Sequence, residues 1–115
     1  MKIGVVGNRK NWTYEQVRAK LLELKVSKLD IIISGGAEGV DSHAQQFAKE
    51  IGAQLRVIYP DPDLPSPKRY YDRNEKIAYM CDKLIAFNSE GPRSGTHNTI
   101  THATNLSKEV IVVDK

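Results

Sequence analysis

The chain has 115 residues, 40% of them hydrophobic and 27% charged, with a formal net charge of +3. These proportions exclude a disordered, collagen-like or coiled-coil chain, and the length fits one domain, 1–115, able to bury roughly two thirds of its unfolded surface. No apolar run is long enough to span a bilayer, the first residues read as a strand rather than a secretory leader, and Cys81 is the only cysteine, so the expectation is a cytoplasmic protein with no membrane association, disulfide framework or thiolate metal cluster.

Lys2 to Val6 reads as a first strand, followed by a loop from Gly7 to Trp12. Thr13 and Gln16 have capping-box spacing, and Tyr14, Val17, Leu21 and Leu24 recur at helical spacing, so a helix opens at Thr13. Leu29 to Ile33 is a second strand, whose run of isoleucines predicts burial on both faces. The stretch Ser34-Gly35-Gly36-Ala37-Glu38-Gly39-Val40-Asp41 comes next and runs into a helix with Ala44, Phe47, Ala48 and Ile51 on its buried face and Gly52 as terminator. Leu55, Val57 and Ile58 form a third strand. Pro60, Pro62, Pro65 and Pro67 then predict a stiff loop serving as a wall or lid. Tyr70 to Met80 is a third helix, Lys83 to Phe87 a fourth strand, and 88–96 a second glycine-containing loop. A helix around Ile100, Ala103 and Leu106 leads to a last strand at Val110 to Val113.

Strands alternating with helices over short connections predict an α/β fold: a Rossmann-like three-layer α/β/α sandwich on a mainly parallel sheet of about five strands. Ligands of such sheets bind beyond the carboxyl ends of the strands, where the strand order reverses. Arg9, the glycines after the second strand, the proline segment and the Gly95-Thr96 turn would share that edge.

The glycine-rich stretch sits at a strand-to-helix turn, where residues without a Cβ allow close approach and the first helical amides favour an anion, so it reads as a phosphate cradle. The dinucleotide-binding pattern is excluded because Gly7-Asn8-Arg9 after the first strand lacks its spacing. No Lys-Ser or Lys-Thr pair follows the glycines, which argues against a nucleoside triphosphatase. His43, His97 and His102 form no metal-ligand spacing, so neither a metal nor another cofactor is expected.

Gly7-x-Arg9-x-x-Trp12, Ser34-Gly35-Gly36-Ala37-x-Gly39-x-Asp41, Arg73-Asn74 and Gly95-Thr96, in this order, resemble the SLOG superfamily. Its members include single-stranded-DNA-binding DprA/Smf proteins, LOG phosphoribohydrolases and small stand-alone domains. The likeness spans nearly the whole chain and is closest to the stand-alone members. It implies a domain binding a nucleotide or nucleotide-derived ligand through Gly7, Arg9, Ser34, Gly35, Gly36, Ala37, Gly39, Asp41, Arg73, Asn74, Ser94, Gly95 and Thr96. Arg9 and Arg73 would pair with phosphate, and the amides of Gly35, Gly36 and Gly39 would line one phosphate site. Gly95 and Thr96 would line another or hold the sugar. Asp41 has two readings, as a ligand contact or as a helix cap. Trp12 either stacks on a base or covers the core edge; Tyr70 and Tyr71 either stack on a base or pack under the proline segment.

One departure from the phosphoribohydrolases is functional. Thr99 stands where their Pro-Gly-Gly-x-Gly-Thr-x-x-Glu motif carries its glutamate, and a hydroxyl does not serve as a base at neutral pH. The leading reading is therefore a nucleotide-binding sensor or sequestering module with no assigned catalytic residue. The alternatives are a nucleotide N-glycosidase and a single-stranded nucleic-acid binder, the latter ranked last because no extended basic track with aromatic residues is visible. A homo-oligomer is also an expectation.

Overall fold

The computed structural model describes residues 1–88 and 94–115, so Glu90, Gly91, Pro92 and Arg93 of the expected second glycine loop lie outside the described residues. The elements are β1 (Lys2–Gly7), α1 (Tyr14–Glu23), β2 (Ile31–Ser34), α2 (Val40–Ile51), β3 (Gln54–Val57), α3 (Lys68–Met80), β4 (Lys83–Phe87), α4 (Gly95–Asn105) and β5 (Glu109–Val113). All strand pairs are parallel, and the sheet order is β3-β2-β1-β4-β5. This is the Rossmann-like α/β fold expected from the alternation of elements.

The alternating faces of the central strands fill two cores, as the period of two demands. Ile3, Val5, Ile32, Ile85 and Phe87 point to one side and pack with Val17 and Leu21 of α1 and Val40, Ala44, Phe47 and Ala48 of α2. Val6, Ile33, Leu84 and Ala86 point to the other, against Ile77 and Ala78 of α3 and Ala103 of α4. Each fully buried Leu, Ile or Phe stabilises the fold by about 1.5–3 kcal/mol relative to exposure, which is why the isoleucine run of β2 is placed centrally.

Local signals set several boundaries. At the start of α1, Thr13 Oγ1 accepts from the Gln16 amide at 3.2 Å and Gln16 Oε1 accepts from the Thr13 amide at 2.9 Å, completing the capping box. Gly52 ends α2 in the left-handed conformation, with φ 75° and ψ 26°. The second strand begins at Ile31, two residues later than its apolar pattern predicts. Asp30 closes a turn on Ser27, accepting from its amide at 2.9 Å, and Leu29 is left 82% exposed.

Strands β1 to β3 step outward in one direction; α3 then carries the chain back to β4 on the far side of β1. The order thus reverses between β1 and β4, and the segment after β1 and the start of α4 flank a crevice at the sheet's carboxyl edge.

Candidate functional site

That crevice is a cleft of about 370 Å³ lined by Val6, Gly7, Asn8, Arg9, Ala37, Asp41, Tyr70, Tyr71, Arg73, Asn74, Ile77, Ser94, Gly95, Thr96 and Thr99. It therefore brings together Gly7, Arg9, Ala37, Asp41, Arg73, Asn74, Ser94, Gly95 and Thr96 of the sequence-predicted residues. Ser34, Gly35, Gly36 and Gly39 are not on its wall.

The glycines after β2 are met instead by the chain itself. A Cβ built on Gly35 would lie 2.7 Å from Arg73 Nη1 and 2.9 Å from Asp41 Oδ2. One on Gly36 would lie 2.7 Å from Tyr59 Cε1, and one on Gly39 2.5 Å from the Arg9 Cα, the Arg9 carbonyl and the Asn8 carbonyl. Gly39 also has φ 76° and ψ −126°, a conformation open to glycine alone. The first amide of α2, at Val40, donates to the Asn8 carbonyl at 3.1 Å, so the segment after β1 lies across the start of this helix. The expected phosphate cradle is thus largely a seat for Asn8, Arg9, Tyr59 and Arg73.

Asp41 does not cap α2, because Gly39 is the N-cap residue and Asp41 lies within the first turn. Its carboxylate reaches back to accept from the Ala37 amide at 3.1 Å, tying down the loop that borders the cleft. Burial pushes its pKa above the ordinary value of 3.8, against the lowering effects of the Ala37 amide and the Arg73 charge.

Arg73 of α3 donates through Nη1 to the Gly35 carbonyl and through Nε to Asn74 Oδ1 at 3.0 Å. It also lies 6.0 Å from the centroid of the Tyr70 ring. Its pKa is lowered, chiefly by burial and also by Arg9, with Asp41 and Tyr70 opposing. Neither Arg9, which is exposed, nor Arg73 forms an ion pair with a carboxylate among the described residues. Arg9 and Arg73 thus line one cleft with no salt-bridge partner among the described residues.

The start of α4 forms the opposite wall. Ser94 caps the helix, its hydroxyl accepting from the His97 amide at 3.1 Å. The amides of Gly95 and Thr96 find no acceptor among the described residues, as expected of the first turn of a helix. Thr96 is only 6% exposed, and its hydroxyl likewise has no partner among them. Buried hydroxyls are normally hydrogen-bonded, so this one is an exception among the described residues. Asn74, also buried, fastens this wall to α3: Nδ2 donates to Asn98 Oδ1 at 3.1 Å and to the Gly95 carbonyl at 3.4 Å. Gly95 has room for a side chain, the nearest atom to a built Cβ being Asn74 Nδ2 at 3.8 Å, and its φ is not positive. Neither backbone conformation nor packing among the described residues requires glycine there.

Thr99 is buried on the floor of the cleft, and its hydroxyl donates to the Gly95 carbonyl at 3.0 Å. It offers no base where the phosphoribohydrolase motif has its carboxylate. Among the described lining residues, Asp41 is the sole carboxylate.

Other aromatic and loop residues separate clearly. Trp12 covers the core edge: it packs edge-on against Phe87 with ring centroids 5.1 Å apart, and its Nε1 donates to the Asn88 carbonyl at 2.9 Å. Tyr70 and Tyr71 do line the cleft, as do Asn8 and Ile77, which carry no motif signal of their own in the sequence. None of the prolines after β3 lines it; Arg69 Nε donates to the Leu64 carbonyl at 2.9 Å, closing that segment on the start of α3, and the first turns of α3 supply the wall.

With this geometry, the chain can be set beside known proteins. Its fold is shared with DNA processing protein A (DprA) from Streptococcus pneumoniae, with a TM-score of 0.81 and 22% identity over 96% of this chain and 49% of that one. It is shared also with the structural-genomics target TM1055, with a TM-score of 0.72 and 24% identity over 95% of this chain and 71% of that one. A third similar structure is DNA processing protein A from Helicobacter pylori, a protein with a single-stranded DNA binding mode, with a TM-score of 0.72 and 20% identity over 97% of this chain and 64% of that one. The chain thus spans about half the length of the Streptococcus pneumoniae protein. No curated protein matches it significantly. Residues 1–62, which carry the segment after β1, the glycine stretch and Tyr59, match the family model described as DNA recombination-mediator protein A. The chain belongs to the DNA recombination-mediator protein A family, within the SLOG superfamily.

Proposed function

We propose that residues 1–115 act as one binding domain whose cleft holds a nucleotide unit, with its phosphate between the start of α4 and the guanidinium groups of Arg9 and Arg73. The observation that carries this reading is the start of α4. The amides of Gly95 and Thr96 and the buried Thr96 hydroxyl, which have no partner among the described residues, border a cleft that contains two arginines with no salt-bridge partner among those residues. Helix N-termini favour anions by partial charge and by free donors together. Gly95, which packing among the described residues does not need, would let the phosphate approach the backbone. Tyr70 and Tyr71 at the mouth offer aromatic surface to a base. A volume of about 370 Å³ accommodates one nucleotide and is at the small end for ligand pockets.

The reading is of binding without turnover. The Thr99 hydroxyl is committed to the Gly95 carbonyl, and Asp41 is committed to the Ala37 amide. A panel of mono-, di- and cyclic nucleotides, including nicotinamide-derived ones, tests it by thermal shift and by chromatography of the recovered ligand. A shift with the ligand intact is the expected outcome. Failure of every nucleotide to raise the melting temperature at large excess would refute the reading, and release of free base would make the domain a glycosidase.

A second reading is favoured by the family: the nucleotide unit belongs to single-stranded DNA. Arg9 and Lys10 are both exposed beside the cleft and could follow a backbone beyond it. Its signature is an affinity for oligonucleotides that falls with salt, with a slope of about −0.7 per phosphate contacted.

A further inference from the structure

Tyr59 lies immediately beyond β3 and is 68% exposed, and the backbone before it is tied to β2. The Ile58 amide before it donates to the Ser34 carbonyl at 2.8 Å, extending the pairing of β3 with β2 by one bond. Its ring lies over Gly36: a Cβ built there would be 2.7 Å from Cε1 and 3.0 Å from Cδ1. A glycine with φ 74° thus gives the ring a bed, and the rest of the ring is left to solvent. The residue after Gly36 is Ala37, which lines the cleft, and adjacent Cα atoms are only ~3.8 Å apart. The ring thus rests on the residue that precedes the lining residue Ala37, at the end of β3, which lies on the opposite side of β1 from β4 in the sheet.

From this geometry we infer that Tyr59 is a stacking platform for a second nucleobase of the ligand, the one next to the nucleotide unit held in the cleft. The inference rests on the reading of the cleft given above. Stacking suits this position better than a phosphate contact does, because Glu38 and Asp61, each two residues from Gly36 and Tyr59 along the chain, carry negative charge. An aromatic face accepts any base and needs no cation beside it. Tyrosine is well suited, having an apolar body and few rotatable bonds to immobilise. The second base can belong to a dinucleotide or to a longer single strand.

The test compares wild type, Tyr59→Phe and Tyr59→Leu in calorimetric titrations with deoxyadenosine 5′-monophosphate, the corresponding 5′-phosphorylated dinucleotide and a longer deoxyadenosine strand. Leucine keeps apolar cover over Gly36 without a π face, so the loop stays closed. Wild type and Tyr59→Phe should bind the dinucleotide, the longer strand or both more tightly than the mononucleotide, and Tyr59→Leu should lose about 5- to 150-fold of affinity for those ligands while keeping its affinity for the mononucleotide. A gain already present in the dinucleotide identifies a two-nucleotide ligand, whereas a gain present only in the longer strand identifies single-stranded DNA. Equal binding of the longer ligands by wild type and Tyr59→Leu, with mononucleotide binding intact, would overturn the Tyr59 subsite and leave the cleft reading standing. So would an equal loss for all three ligands, which would make Tyr59 a support of the loop. Absence of binding to every ligand by wild type would overturn both.

Discussion

Gly95→Ala separates folding from ligand binding at a single atom. Among the described residues the added methyl group would meet only Asn74 Nδ2 within 4 Å, at 3.8 Å, an ordinary contact distance, and the residue opens α4 without a positive φ. Alanine restricts the unfolded chain more than glycine does, so stability should rise by about 0.4–1 kcal/mol. For a domain of this size that is an increase of roughly 2–4 °C in melting temperature. The same methyl group stands where a phosphate would approach the backbone. Two charge-assisted hydrogen bonds from the first amides of α4 would lengthen, and each is worth about 1.5–3 kcal/mol. Loss of even one amounts to a tenfold weakening or more of nucleotide affinity. Differential scanning fluorimetry without and with ligand reads both effects on one sample: a higher melting temperature alone, and a smaller shift with nucleotide. A variant that melts higher and binds nucleotide as tightly as wild type would refute the placement of phosphate at the start of α4.

Gly39→Ala should do the reverse, because the strained φ and ψ cost about 1–3 kcal/mol and the overlap with the Asn8 and Arg9 backbone a further ~1–3 kcal/mol; urea denaturation giving less than 1 kcal/mol of loss would contradict the close seat of this segment. Thr96→Val keeps volume and removes the unpartnered hydroxyl, so calorimetry should record a loss of about 10- to 100-fold in nucleotide affinity with stability unchanged or higher. Asp41→Asn tests the buried carboxyl. With a folded pKa raised above 3.8, the native state holds the proton more tightly than the unfolded state does, so the contribution of Asp41 is fully present below 3.8 and is lost as pH rises through the folded pKa. Urea titrations across that acid range should show this decline in wild type and not in Asp41→Asn, whose side-chain oxygen still accepts from Ala37; an unchanged profile would mean that Asp41 is not responsible.

The fold was legible because its signals are local or periodic. The capping box at Thr13 and the terminator at Gly52 need only their own helices, and the double-faced burial of Ile32 and Ile33 follows from an unbroken apolar run. Leu29 misleads by the same logic, since hydrophobicity extends the strand pattern backward while the Ser27–Asp30 turn, a polar and short-range feature, ends it. The site was legible in outline only. Asn8 and Ile77 enter the cleft through the order of strands and the rotation of α3, which no spacing in the sequence encodes, and the proline segment misses it because Arg69 draws it onto the start of α3.

The two glycine turns carry the deeper lesson, since a missing Cβ reports that something comes close to the backbone and not what that something is. At Gly35, Gly36 and Gly39 the visitor is the chain itself, in the form of the Arg73 and Asp41 side chains, the Tyr59 ring and the Asn8–Arg9 backbone. Three of these visitors line the cleft, the Arg73 and Asp41 side chains and the Asn8–Arg9 segment, while the Tyr59 ring rests on Gly36, the residue before the lining residue Ala37. The glycine stretch after β2 thus works as the mould in which the charged part of the cleft is set. At Gly95 none of the described residues fills the space, and the neighbouring donors are ones without partners among those residues. Read by what occupies them, the first turn builds the site and the second is where the anion would sit.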